Sequence, residues 1–178
     1  MEKKAFSVRS VRKAVVDDAD AISAIAKLCF VGEEIYPLFY IRDFCSNGLS
    51  FVCFIDGVMA GYVIHSNFPS EFEDKREVPT VMSLGVHPDF RRRGVAELLL
   101  LNVKAFYKAP IYLHVRVKNT AAQAVYTKQQ FVAVFKIEGY YTKFTSVPDD
   151  AYYMMYIPDR QAVPELAPTP LTGVEKKR

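Results

Sequence analysis

SLGVHPDFRRRGVAELLLL, residues 83–101, reads as the end of a strand, a tight reversal and a helix. Residues 80–86 are β-rich and mostly apolar, His87-Pro88-Asp89 cannot continue a strand, and residues 95–101 are a run of good helix formers. The reversal between them is Arg91-Arg92-Arg93-Gly94-Val95-Ala96. Gly94 and the small Ala96 let a ligand approach the backbone, while the first-turn N–H groups face outward with the positive end of the helix dipole behind them. This is an anion site built from main chain. The alternative for Arg91, Arg92 and Arg93 is a solvated basic loop or a nuclear-import signal, but neither of those requires glycine at this spacing between a strand and a helix.

The surrounding chain has 178 residues, 51% apolar and 24% charged, enough for one core and a tail. Its net charge of +3 is too weak and scattered to argue for a nucleic-acid partner. Cys29, Cys45 and Cys53 lack CxxC spacing and, with no signal-type leader, predict a reducing compartment; no apolar run approaches the roughly 18–20 residues that span a bilayer. The expectation is a soluble, cytoplasmic protein, nuclear presence not excluded, with no membrane partner, no direct nucleic-acid partner and no metal.

Upstream, residues 7–15 partly alternate as a strand would, and Asp17 or Asp18 can cap a helix over 19–30. An aromatic segment, 34–40, precedes a short helix ending at Asn47-Gly48. Asp56-Gly57 between two apolar β-type runs is a hairpin signal. Residues 67–77 read as a polar, mobile connection. Downstream, Ile111-Tyr112-Leu113-His114-Val115-Arg116-Val117 alternates, with Tyr112, His114 and Arg116 on the polar face. Asn119-Thr120 can cap a helix to about residue 130, strands follow at 131–137 and 151–157, and Gly139-Tyr140-Tyr141 forms a turn. From residue 158, recurrent proline without periodicity predicts a disordered tail over 158–178.

The pattern R-x-x-G-x-A at 91–96, directly after a strand carrying Leu84-Gly85-Val86, resembles the acetyl-CoA-binding motif of the GNAT superfamily of N-acetyltransferases. The resemblance covers about residues 6–157 and implies an α/β (α+β) GNAT fold, a mixed central sheet of about seven strands flanked by about four helices, with the domain over 1–157. Residues 111–126, then Gly139-Tyr140-Tyr141, Pro148-Asp149-Asp150-Ala151 and Tyr36-Pro37-Leu38-Phe39-Tyr40, resemble more narrowly the catalytic subunit of the eukaryotic NatE protein N-terminal acetyltransferase.

The resemblance assigns acetyl-CoA to Leu84, Val86, Arg91, Arg92, Arg93, Gly94, Val95, Ala96, Asn119 and Tyr126. It assigns the substrate peptide to Tyr36, Pro37, Leu38, Tyr40, Tyr140 and Tyr141. It makes His114 a general base acting through water and Tyr126 a donor to, or holder of, the departing sulfur. An α-amino group of pKa about 7.7–8.0 must lose a proton before it attacks a thioester, and an imidazole titrating near 6.5 can relay it. The residues also admit plainer roles: His114 as a sheet histidine, Asn119 as a helix cap, Tyr126 on a helix's apolar stripe, the other tyrosines as core. In the NatE family a tyrosine usually occupies the position of Thr80. A threonine hydroxyl can position water there but cannot act as a base.

The implied function is acetylation of protein N-termini, on Met followed by an apolar residue, by direct amine attack in a ternary complex. Two alternatives stay open: a lysine side-chain acetyltransferase, and a weakly active acetyl-CoA-binding subunit that docks on a larger N-terminal acetyltransferase complex and the ribosome. Cys53 as an acyl carrier is disfavoured by its apolar surroundings.

Overall fold

A computed structural model describes residues 7–70, 74–143, 149–158 and 169–170, the side chains of Glu33, Lys143, Thr169 and Pro170 excepted. Pro148 and the tail beyond Pro158, apart from residues 169–170, lie outside the described residues. The chain divides into two compact units, residues 1–66 with 82–106, and residues 67–81 with 107–178.

In the first unit, β1 (Arg9–Lys13) pairs antiparallel with β2 (Ser50–Ile55), which pairs antiparallel with β3 (Val58–Pro69). The β2–β3 reversal is the expected one. Asp56 and Gly57 both take left-handed backbone, φ 51° and 81°, the combination that matches strand twist in a two-residue hairpin. Beside β3 runs the second half of β4 (Glu77–Val86), and after it come a 3-10 turn at Pro88–Phe90 and α3 (Val95–Tyr107). α1 (Ala19–Cys29) and α2 (Leu38–Ser46) bury Ile22, Ile25, Ala26, Ile41 and Cys45 in one cluster with Val52, Tyr62 and Ile64.

Asp18 precedes α1 but makes no side-chain cap bond to it. Its carboxylate instead accepts both Arg12 guanidinium nitrogens, at 2.6 and 2.9 Å, and the Val15 N–H at 2.8 Å. The Arg12 hydrogen bond is the main cause that holds the Asp18 carboxyl below the usual carboxylate range. A charged partner in reach outcompetes an amide of the helix's first turn.

In the second unit, the first half of β4 runs parallel to β5 (Ile111–Arg116), with Thr80 opposite Tyr112. β7 (Ala151–Tyr156) lies between β5 and β6 (Val132–Ile137), antiparallel to both. The bridge β8 (Thr169–Pro170) runs parallel to β6. α4 (Thr120–Lys128) begins at the expected cap, where Asn119 Oδ1 accepts the Ala122 N–H at 3.1 Å. Parallel and antiparallel pairs with four α-helices make the mixed α/β fold anticipated from the sequence. The expected polar connection at 67–77 is shorter than its composition suggests, because β3 continues through Pro69 and β4 starts at Glu77.

Two glycines let β3 and the end of β4 come together. A Cβ on Gly61 would lie 2.7 Å from the Gly85 carbonyl oxygen and 2.8 Å from Val95 Cγ1, and one on Gly85 would lie 2.6 Å from the Tyr62 ring. Backbone cannot retreat as a side-chain tip can. Gly61→Ala is therefore expected to cost about 2 kcal/mol, within the usual overpacking range, read as a lower urea midpoint at unchanged m-value. A variant as stable as wild type would mean that the strands can separate without loss.

Candidate functional site

The reversal that opens α3 is held by its own side chains. Arg91 Nε donates to the Val86 carbonyl at 3.3 Å, and Cys29 Sγ donates to the same oxygen at 3.4 Å. Arg93 lies over the Phe90 ring, 5.4 Å from its centroid. Arg91 thus shapes the loop from inside. Arg92 and Gly94 adopt left-handed φ, 59° and 77°, which turns the chain into the helix. The first helical bond runs from the Leu98 N–H to the Gly94 carbonyl at 3.1 Å, so the amides before Leu98, those of Val95 and Ala96 included, point off the helix end. A Cβ at Gly94 would meet Arg9 Nη1 at 3.3 Å. Unsubstituted main chain, a helix N-terminus and a neighbouring guanidinium fit a diphosphate.

The aromatic segment of the first unit straddles the entry to α2. Pro37 is the N-cap residue; Tyr36 and Leu38 pack on the α1–α2 core, Tyr36 edge-on to Phe44 at 5.7 Å. Burial raises the pKa of the Tyr36 phenol. Tyr40 and Phe39 are instead 50% and 64% exposed, their rings 4.3 Å apart. The segment therefore presents two aromatics outward while two neighbours anchor it.

In the second unit, His114 is boxed by rings. Tyr140 lies parallel to the imidazole at 4.3 Å and 10°, and Tyr153 is tilted against it at 5.1 Å and 52°. Burial lowers the His114 pKa to about 4, so the imidazole is neutral at neutral pH, in place of titrating near 6.5 as an exposed one would. Tyr141, edge-on to Tyr140 at 5.1 Å, carries the Arg116 guanidinium at 4.0 Å from its ring centroid. Arg116 is also within 3.8 Å of the Asp149 carboxylate, and Asp150 accepts the Gly139 N–H at 2.8 Å. Consecutive tyrosines of one turn thus settle on alternate residues of one strand face.

Asn119 caps α4 through Oδ1, which leaves Nδ2 as the end able to donate to a ligand. Tyr126 is 9% exposed, its ring 5.9 Å from Phe131, and burial pushes its phenol up to about 12. It therefore stays protonated and keeps a hydrogen to donate. Thr80 turns its hydroxyl to the Val78 carbonyl at 3.0 Å. Leu84, half-buried, lies on β4 in the first unit. Cys53 has no exposed surface and its thiol pKa is raised by burial, the opposite of an acyl carrier. The structure adds residues that the sequence reading passed over: Arg9 beside Gly94, Arg116 under Tyr141, and Ser70 and Tyr153, whose hydroxyls meet at 3.1 Å. Only the position of Arg116 on the His114 face was open to inspection beforehand.

Residues 19–131 match the model of a family described as Acetyltransferase (GNAT). An N-alpha-acetyltransferase of Saccharolobus solfataricus is 34% identical over 82% of this chain and 90% of its own. N-alpha-acetyltransferase 60 of Xenopus tropicalis is 27% identical over 79% of this chain and 66% of its own. Among solved structures, Arabidopsis thaliana NAA60 in complex with a bisubstrate analogue superposes with a TM-score of 0.72 at 22% identity, over 84% of this chain and 98% of that one, a likeness of fold.

Two outcomes follow from this geometry. Gly94→Glu would place a side chain on left-handed backbone and against Arg9, and is expected to abolish acetyl-CoA binding in calorimetry with the circular dichroism spectrum intact; unchanged affinity would exclude the loop as the anion site. Because His114 has already lost its proton well below pH 6, the rise of kcat/KM from pH 6 to 9 should follow the substrate amine, near 7.7–8.0, without a limb near 6.5. His114→Ala should then lower kcat about 10²-fold at pH 7, at the low end for general-base catalysis, with the shape of the pH profile unchanged. Coincident profiles for variant and wild type would make His114 structural.

Proposed function

The chain belongs to the acetyltransferase (GNAT) family, and from that premise we propose that it transfers an acetyl group from acetyl-CoA to the α-amino group of protein N-termini. One observation carries the reading: a neutral imidazole, His114, stacked under the first of two consecutive tyrosines, in a chain similar to curated N-alpha-acetyltransferases. Bound acetyl-CoA supplies the acetyl thioester. The amides around Gly94, at the start of α3, would hold its diphosphate, with Arg9 adjacent, and Leu84 and Val86 would present the β4 main chain to it. Asn119 Nδ2 is a donor for its amide-bearing arm. Tyr126, protonated throughout, donates toward the sulfur.

The residues of this chain handle the substrate proton in a restrained way. An imidazole of pKa about 4 is a weak acceptor, so it captures little of the ammonium form directly. Its part is to take a hydrogen bond, through water, from an amine that is partly neutral near pH 7. A lysine amine of pKa about 10.4 is a much poorer substrate for such a site. This favours α-amines over side chains. With Cys53 buried, acetyl transfer is direct and proceeds in a ternary complex. The candidates for contact with the peptide are Tyr36, Pro37, Leu38 and Tyr40 in the first unit and, separately, Tyr140 and Tyr141 in the second, and their largely apolar side chains suit Met followed by an apolar residue, the NatE-type preference. The proposal takes the enzyme to act in the cytoplasm, on nascent or free protein N-termini.

Thr80 favours a second reading, a weakly active acetyl-CoA-binding subunit working within a larger ribosome-associated complex, because its hydroxyl is spent on Val78. Turnover of acetyl-CoA by the isolated chain on four peptides, with free or blocked N-terminus and with or without internal lysine, separates these readings. Acetylation of the free Met-apolar peptides alone is the expected result. Turnover of a blocked, lysine-containing peptide would replace the proposal with a lysine acetyltransferase, and acetyl-CoA binding without turnover would replace it with the subunit.

A further inference from the structure

Tyr153 of β7 stands directly opposite His114 of β5 in the antiparallel register. It is 3% exposed, and its ring also lies against Tyr112 at 5.4 Å and Phe135 at 4.8 Å. A buried phenol needs a partner for its hydroxyl, and Tyr153 meets Ser70 Oγ at 3.1 Å. Ser70 is 7% exposed and pinned by its main chain, its N–H donating to the Arg76 carbonyl and its carbonyl accepting the Lys75 N–H, both at 3.0 Å. Ring contacts alone leave a phenyl group free to slide within a packed layer. The hydroxyl bond adds a directional tie that ring contacts lack. Tyr140, on the turn after β6, supplies the second contact. At position 80, where the resemblance expects a tyrosine, the threonine hydroxyl is directed to its own strand.

We propose that Tyr153, anchored by Ser70, is a positioning residue for His114, holding the imidazole in the single orientation that stacks on Tyr140. The inference rests on the reading of His114 as proton acceptor, and it separates from that reading experimentally. Among the described residues, the titratable and charged groups facing His114 include Tyr140 from the turn and Tyr153 from β7, with Tyr112 and Arg116 on either side along its own strand face.

The test uses the full chain as wild type, Tyr153→Phe, Ser70→Ala and the double variant. It follows the imidazole C–H resonances of His114 through a pH titration, assigned by their loss in His114→Ala, alongside kcat and the two KM values. Tyr153→Phe keeps the ring and removes only the hydroxyl. Both single variants are expected to move the His114 resonances and raise their titration midpoint, as water reaches a looser ring. Each should lower kcat about 10-fold, less than the 10²-fold that a 1 Å misplacement can cost, with KM for acetyl-CoA unchanged. The double variant should be no worse than either single, because both remove one bond. His114 resonances and kcat unchanged in Tyr153→Phe would overturn the proposal, as would losses that add in the double variant. If His114→Ala keeps full kcat while Tyr153→Phe still shifts the resonances, the proton-acceptor reading fails and the positioning contact stands. Should Tyr153→Phe fold poorly, Ser70→Ala alone decides by the same readouts.

Discussion

The absence of a side chain at Gly61 is the constraint on which the first unit's site depends. With the Gly85 carbonyl where a Cβ would be, β3 and the end of β4 approach as only unsubstituted backbone can, and Val95 fills what remains. Val95 is the first residue of α3 and is 1% exposed. The point at which the helix begins is therefore set by packing, beneath a loop whose own left-handed residues then have one way to connect. An anion site made of main chain needs this. Its donors are worth something only if they are already aimed when the ligand arrives, since ordering them afterwards would cost conformational entropy.

Local chemistry made much of this legible. Asp56-Gly57 announces its turn because few residues accept two consecutive positive φ values, the alternation at 111–116 puts His114 and Arg116 on one face, and Asn119 caps α4 as its side chain allows. What stayed hidden depends on partners distant in sequence. Asp18 had the composition of a cap, and Arg12, six residues earlier, took its carboxylate. The 67–77 segment looked uniformly polar, yet Ser70 is drawn inside by a tyrosine 83 residues away. The His114 environment was equally out of reach, because its depressed basicity comes from rings on a turn and on the last long strand. Residue types named the candidates, and only the tertiary contacts assigned their protonation states.

Boxing His114 trades one property for another. Desolvation weakens the imidazole as a base, but it also keeps it neutral at neutral pH, between rings that hold its plane. For a substrate amine that is itself partly neutral near pH 7, orientation is worth more than basicity. Burial treats Tyr126 the opposite way, keeping its proton on. The two groups are thus driven apart on the pH scale by the same physical cause, one left without its proton and the other keeping it.

The insertion of β7 between β5 and β6 sets an order of events during synthesis. β5 and β6 emerge first and do not pair with each other; their shared partner is, among the described residues, the last strand of the unit longer than two residues. A chain lengthening at about 5–20 residues per second exposes those edges until residue 156 has left the exit channel. The first unit's strands pair locally and close early. The aromatic box around the imidazole closes last, so a truncated product would carry the finished helix-end loop with an unboxed His114, and the edges of β5 and β6 would be the surfaces on which such a fragment aggregates.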